Sequence, residues 1–370
     1  MNTLFTLSQF WKSYDVFGRQ KISTLRSSRP AVLELAARYK DVVLHLEQNP
    51  RPENDEAEKL LFKEMCEICL WGNATDLSLL TSLTYEDIQE LQGSEARKSL
   101  ENNIVVNDLE SAYRALKAKT LKRQDRVVDI VLDNAGFELY VDLCLAGYLL
   151  SAGLATNVVL HCKSIPWFVS DVIPADFATL LSALADPKFF FSTPEETYGG
   201  KIPTPLSEAE LNDLLFLFKQ WSERHQEGQL TLRENRFWTE GGSFWLLPTS
   251  APQLFEDLKD SDLVIFKGDL NYRKLTADVS VTNIKFFTYA NKLQAMWDPK
   301  TPFSEAIGPL GPESGMNVLT LRTCKSDVVV GLKPGEDEKL RATEGGGGDS
   351  GQRKWAWSGK WATISFSAGH

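Results

Sequence analysis

The stretch DRVVDIVLDNAGFELYVDLCLAGYLLSAGLATNVVLHCKSIPW, residues 125–167, decides the fold. A short β-branched run over 126–132 ends in Asp-Asn-Ala-Gly. An apolar helical segment starts at Phe137 and stops at Gly153, and a second β-branched run covers 157–162. Strand, helix and strand in direct succession make a βαβ unit, which sets two strands side by side and parallel.

Outward from this unit the pattern divides. Upstream, AVLELAARYKDVVLHLEQ (31–48), EAEKLLFKEMCEICLWG (56–72) and NDLESAYRALKAKT (107–120) repeat apolar residues every three and four positions, the mark of helices with one buried face. Downstream, helical segments at 174–186, 207–228 and 251–261 alternate with strand-like runs at 262–268, 318–324 and 327–332. Alternation of this kind predicts an α/β fold: a mostly parallel sheet with helices on both faces, a Rossmann-like three-layer arrangement. The expected organisation is a helical N-terminal domain over 1–122 and an α/β catalytic domain over 123–370. The Pro/Gly-rich TPFSEAIGPLGPESG (301–315) is expected to be a loop that could act as a lid, and ATEGGGGDSGQRK (342–354) a flexible loop before an aromatic tail.

Composition narrows the partners. Fifty acidic against forty basic residues give a formal charge of −10, so the surface as a whole repels polyanions. General binding to nucleic acid or to an anionic membrane is disfavoured, and an anionic ligand would need a local basic pocket. A small molecule is the expected partner, and the sequence does not fix an oligomeric state. Five cysteines in 370 residues are no disulfide scaffold. Cys66 and Cys69 form a CxxC, but within a helical pattern and with no second ligand pair, so they read as buried helix cysteines rather than a zinc site. Neither a secretory leader nor an apolar run of membrane-spanning length is present in MNTLFTLSQFWKSYD or beyond, and the expectation is a cytoplasmic or nuclear protein.

The polar residues fall in telling places on this strand map. Asp133 and Asn134 follow the first strand, Asp171 lies in the loop after the second, Asp269 follows the strand at 262–268, and Arg322 and Lys325 end the strand at 318–324. Open α/β sheets bind ligands beyond the carboxyl ends of their strands, so four segments deliver acidic, amide and basic groups to one rim. Asp133, Asn134 and Asp171 offer only oxygen donors, which suits a hard divalent cation. Arg273, Lys274 and Lys325 offer cations suited to phosphate. Singly, each has a plainer reading: Asp-Asn-Ala-Gly as an Asx turn capping the next helix, Asp171 as a helix cap, GDLNYRKL as a solvated surface loop. Their joint occurrence at strand ends points instead to phosphoryl chemistry supported by a metal.

LDNAGFEL (132–139), IPWFVSD (165–171), FKGDLNYRKLTAD (266–278), RTCK (322–325) and WGNATDLSL (71–79) together resemble the damage-control phosphatase family, long catalogued as a domain of unknown function. The Arg-Thr-x-Lys element followed by VVVGLKPGE is similar to the branch that holds sugar-phosphate phosphatases and proteins also named acidic-residue methyltransferases. The resemblance implies Asp133, Asn134 and Asp171 as catalytic, metal-binding residues. It implies Mn²⁺, Co²⁺ or Ni²⁺, with Mg²⁺ also used. It further implies a substrate site that includes Asp133, Asn134, the run Asp269, Leu270, Asn271, Tyr272 and Arg273, and Lys325, with fructose 1-phosphate and fructose 6-phosphate as substrates in a metabolite-repair role. Relatives carry more helical sequence upstream, so a shortened helical region is expected here, and an inactive binding protein is the reading if that disables the site. The other alternative is S-adenosylmethionine-dependent methylation of protein glutamate carboxyl groups. Against it, the turn after the first strand holds only Gly136 where a Gly-rich approach to the cofactor is wanted.

Overall fold

The computed structural model describes residues 7–8, 11, 14–48, 55–72, 102–120, 125–193, 203–277, 297–343, 345–348 and 352–370. Three helices come first: α1 (Gly18–Ser27), α2 (Arg29–Gln48) and α3 (Asp55–Trp71). Strand β1 (Ile104–Asn107) and helix α4 (Leu109–Thr120) follow, then the βαβ unit of β2 (Val127–Val131), α5 (Phe137–Ser151) and β3 (Asn157–Lys163). Next are α6 (Pro174–Ala185), α7 (Glu208–Gln226), β4 (Leu230–Asn235), α8 (Pro252–Lys259), β5 (Leu263–Lys267) and α9 (Gly268–Leu275). The chain closes with β6 (Val318–Thr323), α10 (Glu336–Ala342) and β7 (Ala362–Ser367).

The strands form one seven-stranded sheet in the order β1-β7-β6-β5-β2-β3-β4. All neighbours are parallel except the antiparallel pair β6 and β7. Burial on both faces explains the sequence of the central strands. In β5, LVIFK is buried throughout, with Leu263 and Ile265 in one apolar cluster and Val264 and Phe266 in another. A run apolar at every position is what a parallel strand between two helical layers requires. The first cluster joins the sheet to α1–α7, and the second joins it to α8, α9 and the segment around Phe303. The three-layer α/β fold expected from the sequence is therefore present.

Several elements differ from expectation. The strand expected over 327–332 has no strand pairing, although Val328, Val329 and Val330 are buried. The sheet instead gains β1, β4 and β7, so the region before residue 122 contributes a strand as well as helices, and the aromatic tail ends in one. The segment 301–315 is no lid: Phe303, Ala306, Ile307 and Leu310 are buried in the second apolar cluster, and short helical turns carry them there. GDLNYRKL, whose plainer reading is a solvated surface loop, is helix α9. Among the described residues no helix is long and apolar enough to cross a membrane.

Candidate active site

The chain reverses direction across the sheet between β2 and β5. From β2 it proceeds outward through β3 to β4, and after returning to β5 it proceeds the other way to β6. A crevice opens beyond the carboxyl ends of strands at such a switch point, because the connections leave toward opposite sides. Asp133 lies there, two residues past β2, and α9 begins there after β5. The two meet closely. Gly268 has φ +82°, and a Cβ placed on it would lie 1.9 Å from Asp133 Oδ2. Only glycine both accepts that backbone and leaves room for the carboxylate.

The loop after β3 closes against the loop after β2. Asn134 and Asp171 form an isolated antiparallel bridge, with the Ala135 amide donating to the Ser170 carbonyl at 2.7 Å and the Val172 amide donating to the Asp133 carbonyl at 2.9 Å. Backbone pairing thus brings Asp133, Asn134 and Asp171 together, although 36 residues separate the two loops at Asn134 and Ser170. Asn134 Nδ2 donates to Asp133 Oδ2 and to Glu138 Oε2, each at 2.8 Å, and its Oδ1 accepts from Ser170 Oγ at 2.5 Å.

The site is buried and crowded with negative charge. Burial, reinforced by the neighbouring charges of Glu138 and Asp171, pushes Asp133 well above the usual carboxylate range. Burial likewise raises Asp171, while Lys163 pulls it back. Asp171 Oδ2 makes no hydrogen bond and has the Lys163 ammonium at 3.4 Å. With only this long ion pair the buried oxygen keeps room for a second cation to complete it.

Buried lysines surround these acids. Lys163, the last residue of β3, donates to the Leu132 carbonyl at 2.9 Å. Lys267, the last residue of β5, contacts Asp142 at 2.6 Å, Glu138 at 3.2 Å and the Cys69 carbonyl at 3.1 Å. The negative charge of Asp142 leads those that hold Lys267 well above the ordinary lysine value against the opposing effect of burial. Lys274 donates to the Glu240 carbonyl at 2.7 Å and lies over the Phe244 ring; burial, and then the charge of Lys163, lowers it to about 8.

The residues of the α9 and RTCK segments divide by role. Asp269 Oδ1 accepts from Arg322 Nε at 2.8 Å, from the Lys325 amide at 3.1 Å and from Ser326 Oγ at 3.0 Å. Arg322, fully buried, stacks 4.1 Å above the Tyr272 ring and also binds the carbonyls of Ser326 and Val328. Asp269 is therefore the tether of the RTCK loop, and Lys325 is left exposed at the rim with its backbone fixed. Asn271 and Tyr272, expected to touch substrate, are used inside the protein: Asn271 Nδ2 donates to the carbonyls of Val131, Leu132 and Lys267, and the Tyr272 hydroxyl accepts from the Val330 amide. Leu270 and Arg273 are partly buried on the same helix. The motif segment after Gly72 in WGNATDLSL, and Asp278, lie outside the described residues.

Sequence reading did not bring Lys163 or Lys267 into the site and assigned Glu138 only to the helix end. A signal was present: each lysine is the buried last residue of a mostly apolar strand, a place where a charge needs a partner.

The damage-control phosphatase ARMT1-like domain matches residues 2–340. The chain belongs to that family. Among its relatives, "Damage-control phosphatase ARMT1" of Xenopus tropicalis is 35% identical over 363 residues, covering 96% of this chain and 69% of that protein. The Homo sapiens protein of the same name is 32% identical over 359 residues, covering 95% and 68%. A DUF89 family protein from Pyrococcus horikoshii aligns in structure with TM-score 0.39 at 15% identity, covering 89% of this chain and 77% of that one. The fold assignment rests on the sheet topology itself.

Proposed function

We propose that this chain is a divalent-metal-dependent phosphatase acting on sugar phosphomonoesters, with fructose 1-phosphate and fructose 6-phosphate as the first candidates. The observation that carries the reading is the Asn134–Asp171 bridge, which seats two buried carboxylates and an amide at the switch point with one carboxylate oxygen lacking a hydrogen bond. These groups fit a hard cation. Asp133, Asn134 and Asp171 would hold it through their oxygen donors and leave positions open to water and substrate. When bound, Mn²⁺, Co²⁺, Ni²⁺ or Mg²⁺ would supply charge neutralisation and orientation of the phosphoryl group.

The chain's own residues then divide the work. Lys274, and Lys325 at the rim, offer charge-assisted bonds to phosphate oxygens, and Arg273 on α9 offers a guanidinium fork. Asp269 and Arg322 hold the Lys325 backbone, while Asn271 fixes the end of β2 just before Asp133. Cations on one side and buried carboxylates on the other suit a phosphomonoester whose negative charge shifts during transfer. Methyl transfer is less well supported. The turn after β2 has its single glycine packed against α1, where a Cβ on Gly136 would lie 2.0 Å from Thr24 Oγ1, leaving no open backbone approach for a cofactor there.

The test is phosphate release from fructose 1-phosphate by the purified chain with Mn²⁺ or Ni²⁺ against EDTA, beside Asp133→Ala. Metal-dependent release that vanishes in the variant supports the reading. A folded chain that binds Mn²⁺ yet releases no phosphate from either fructose phosphate overturns the substrate assignment.

A further inference from the structure

The two loops that carry the candidate metal ligands are braced from behind by one residue of the first helix. Lys21 of α1 is 3% exposed. Its ammonium donates to the Asp171 carbonyl at 2.8 Å and contacts the carboxylates of Asp176 and Asp15, each at 2.8 Å. Its carbonyl accepts from Thr24 Oγ1 at 2.7 Å and abuts Gly136, where a Cβ would lie 2.6 Å from that oxygen. Gly136 stands two residues after Asn134, and Asp171 pairs with Asn134. One residue therefore touches both halves of the bridge, through its backbone on the β2 side and its ammonium on the β3 side.

We infer that Lys21 is a positioning residue for divalent-cation binding, so that the N-terminal helix is part of the active-site scaffold rather than a separate cover. This rests on the reading of Asp133, Asn134 and Asp171 as metal ligands. The physical reason is geometric. An ammonium has three donors; here the Asp171 carbonyl and an Asp176 carboxylate oxygen accept two of them and Asp15 adds an ion pair, which fixes the Asp171 backbone relative to the helix. Groups that orient metal ligands from behind typically change affinity 10- to 100-fold when removed. Asp176 also accepts from the Ile173 amide at 2.9 Å and caps α6, so the same ammonium ties the start of α6 to the Asp171 loop.

The experiment compares Mn²⁺ affinity, measured by calorimetric titration of the full chain, across wild type, Lys21→Met and Lys21→Met/Asp176→Asn. The single variant keeps the apolar stem but leaves two partly buried carboxylates without their cation, so its melting temperature should fall. The double variant removes one of those charges and should recover much of that loss. A positioning role predicts that Mn²⁺ binding stays about 10-fold or more weaker in the double variant despite the recovered stability. Mn²⁺ affinity that recovers together with the melting temperature overturns the inference and leaves Lys21 a purely structural ion pair. Wild type that binds no Mn²⁺ overturns the metal reading itself, and this inference with it.

Discussion

Gly268→Ala tests the close approach of α9 to Asp133. Two costs act together. The backbone at φ +82° lies in the left-handed region, where a Cβ costs roughly 1–2 kcal/mol. The new methyl would also lie 1.9 Å from Asp133 Oδ2, 2.4 Å from its Cγ and 2.9 Å from its Cβ, so the whole carboxylate must move and not merely its tip. Overpacking of this kind adds about 1–3 kcal/mol. The sum is about 2–5 kcal/mol, and for a chain of 370 residues each kcal/mol corresponds to about 1–2 °C in melting temperature. A fall of about 2–10 °C is expected. Displacing Asp133 by about 1 Å should lower kcat on fructose 1-phosphate by about 100-fold, more than the stability loss explains in protein that is still folded. Differential scanning calorimetry and steady-state phosphate release at a temperature well below melting measure the two effects. Near-wild-type turnover in a variant with the expected thermal loss would show that Asp133 need not sit where the structure places it, and the site assignment would fail.

Four further outcomes follow from the surrounding charges. With Lys274 lowered to about 8, its ammonium is lost as pH rises through that value, so KM for a sugar phosphate should climb above about pH 8, and Lys274→Arg should move that limb to higher pH. An unchanged pH profile in the arginine variant would remove Lys274 from phosphate binding. The same shift fixes a sign for stability: the folded pKa lies below the ordinary 10.5, the unfolded state binds more protons between the two, and this group's contribution to stability increases as pH rises from about 8 to 10.5. Melting curves of Lys274→Met against wild type should therefore differ most below pH 8 and converge toward pH 10.5. Arg322→Lys keeps the charge but loses the fork that joins Asp269 to the Ser326 and Val328 carbonyls, and a loss of about 2–4 kcal/mol by urea unfolding is expected, because buried acceptors are left unpaired. Lys267→Met should cost about 3–5 kcal/mol by removing the cation from Asp142 and Glu138, and Lys267→Met/Asp142→Leu should regain part of it; a double variant no more stable than the single one would refute charge imbalance as the cause.

What was legible in the sequence followed from local pattern. The β2–α5–β3 unit declared itself because β-branched runs flank an apolar helix with Gly153 behind it, and a strand-end Asp-Asn is chemically conspicuous. Edge and tail strands were less visible. β1 is four residues long, and β4 reads LTLREN, whose polar end lacks the continuous apolar signal of a central strand. The run at 327–332 misled for the opposite reason: Val328–Val330 are apolar because they pack against other side chains, and nothing in composition separates that from pairing in a sheet. Tyr272 and Asn271 carry a role that composition does not announce: whatever the motif presents to a ligand, these two also hold the loops together through internal hydrogen bonds, and only the folded structure displays that.

The arrangement of charge explains why these roles occur together. Lysines at the ends of β3 and β5 come from the sheet, Glu138 and Asp142 come from α5, and Asp133 and Asp171 come from the loops between them. Each lysine serves more than one acceptor: Lys163 holds the Leu132 carbonyl beside the Asp171 carboxylate, and Lys267 divides itself between Asp142 and Glu138. Burial pushes Asp142 up to about 6 even with Lys267 beside it. Asp133 has neither lysine within an ion pair, lies against Gly268 and stands well above the usual carboxylate range. The two lysines thus form their ion pairs with the outer members of the acidic group, and their pull on the central one, made without an ion pair, does not offset its burial. A structural network would be expected to close that gap with one more lysine or arginine, while a site for an exchangeable divalent cation has to leave it open.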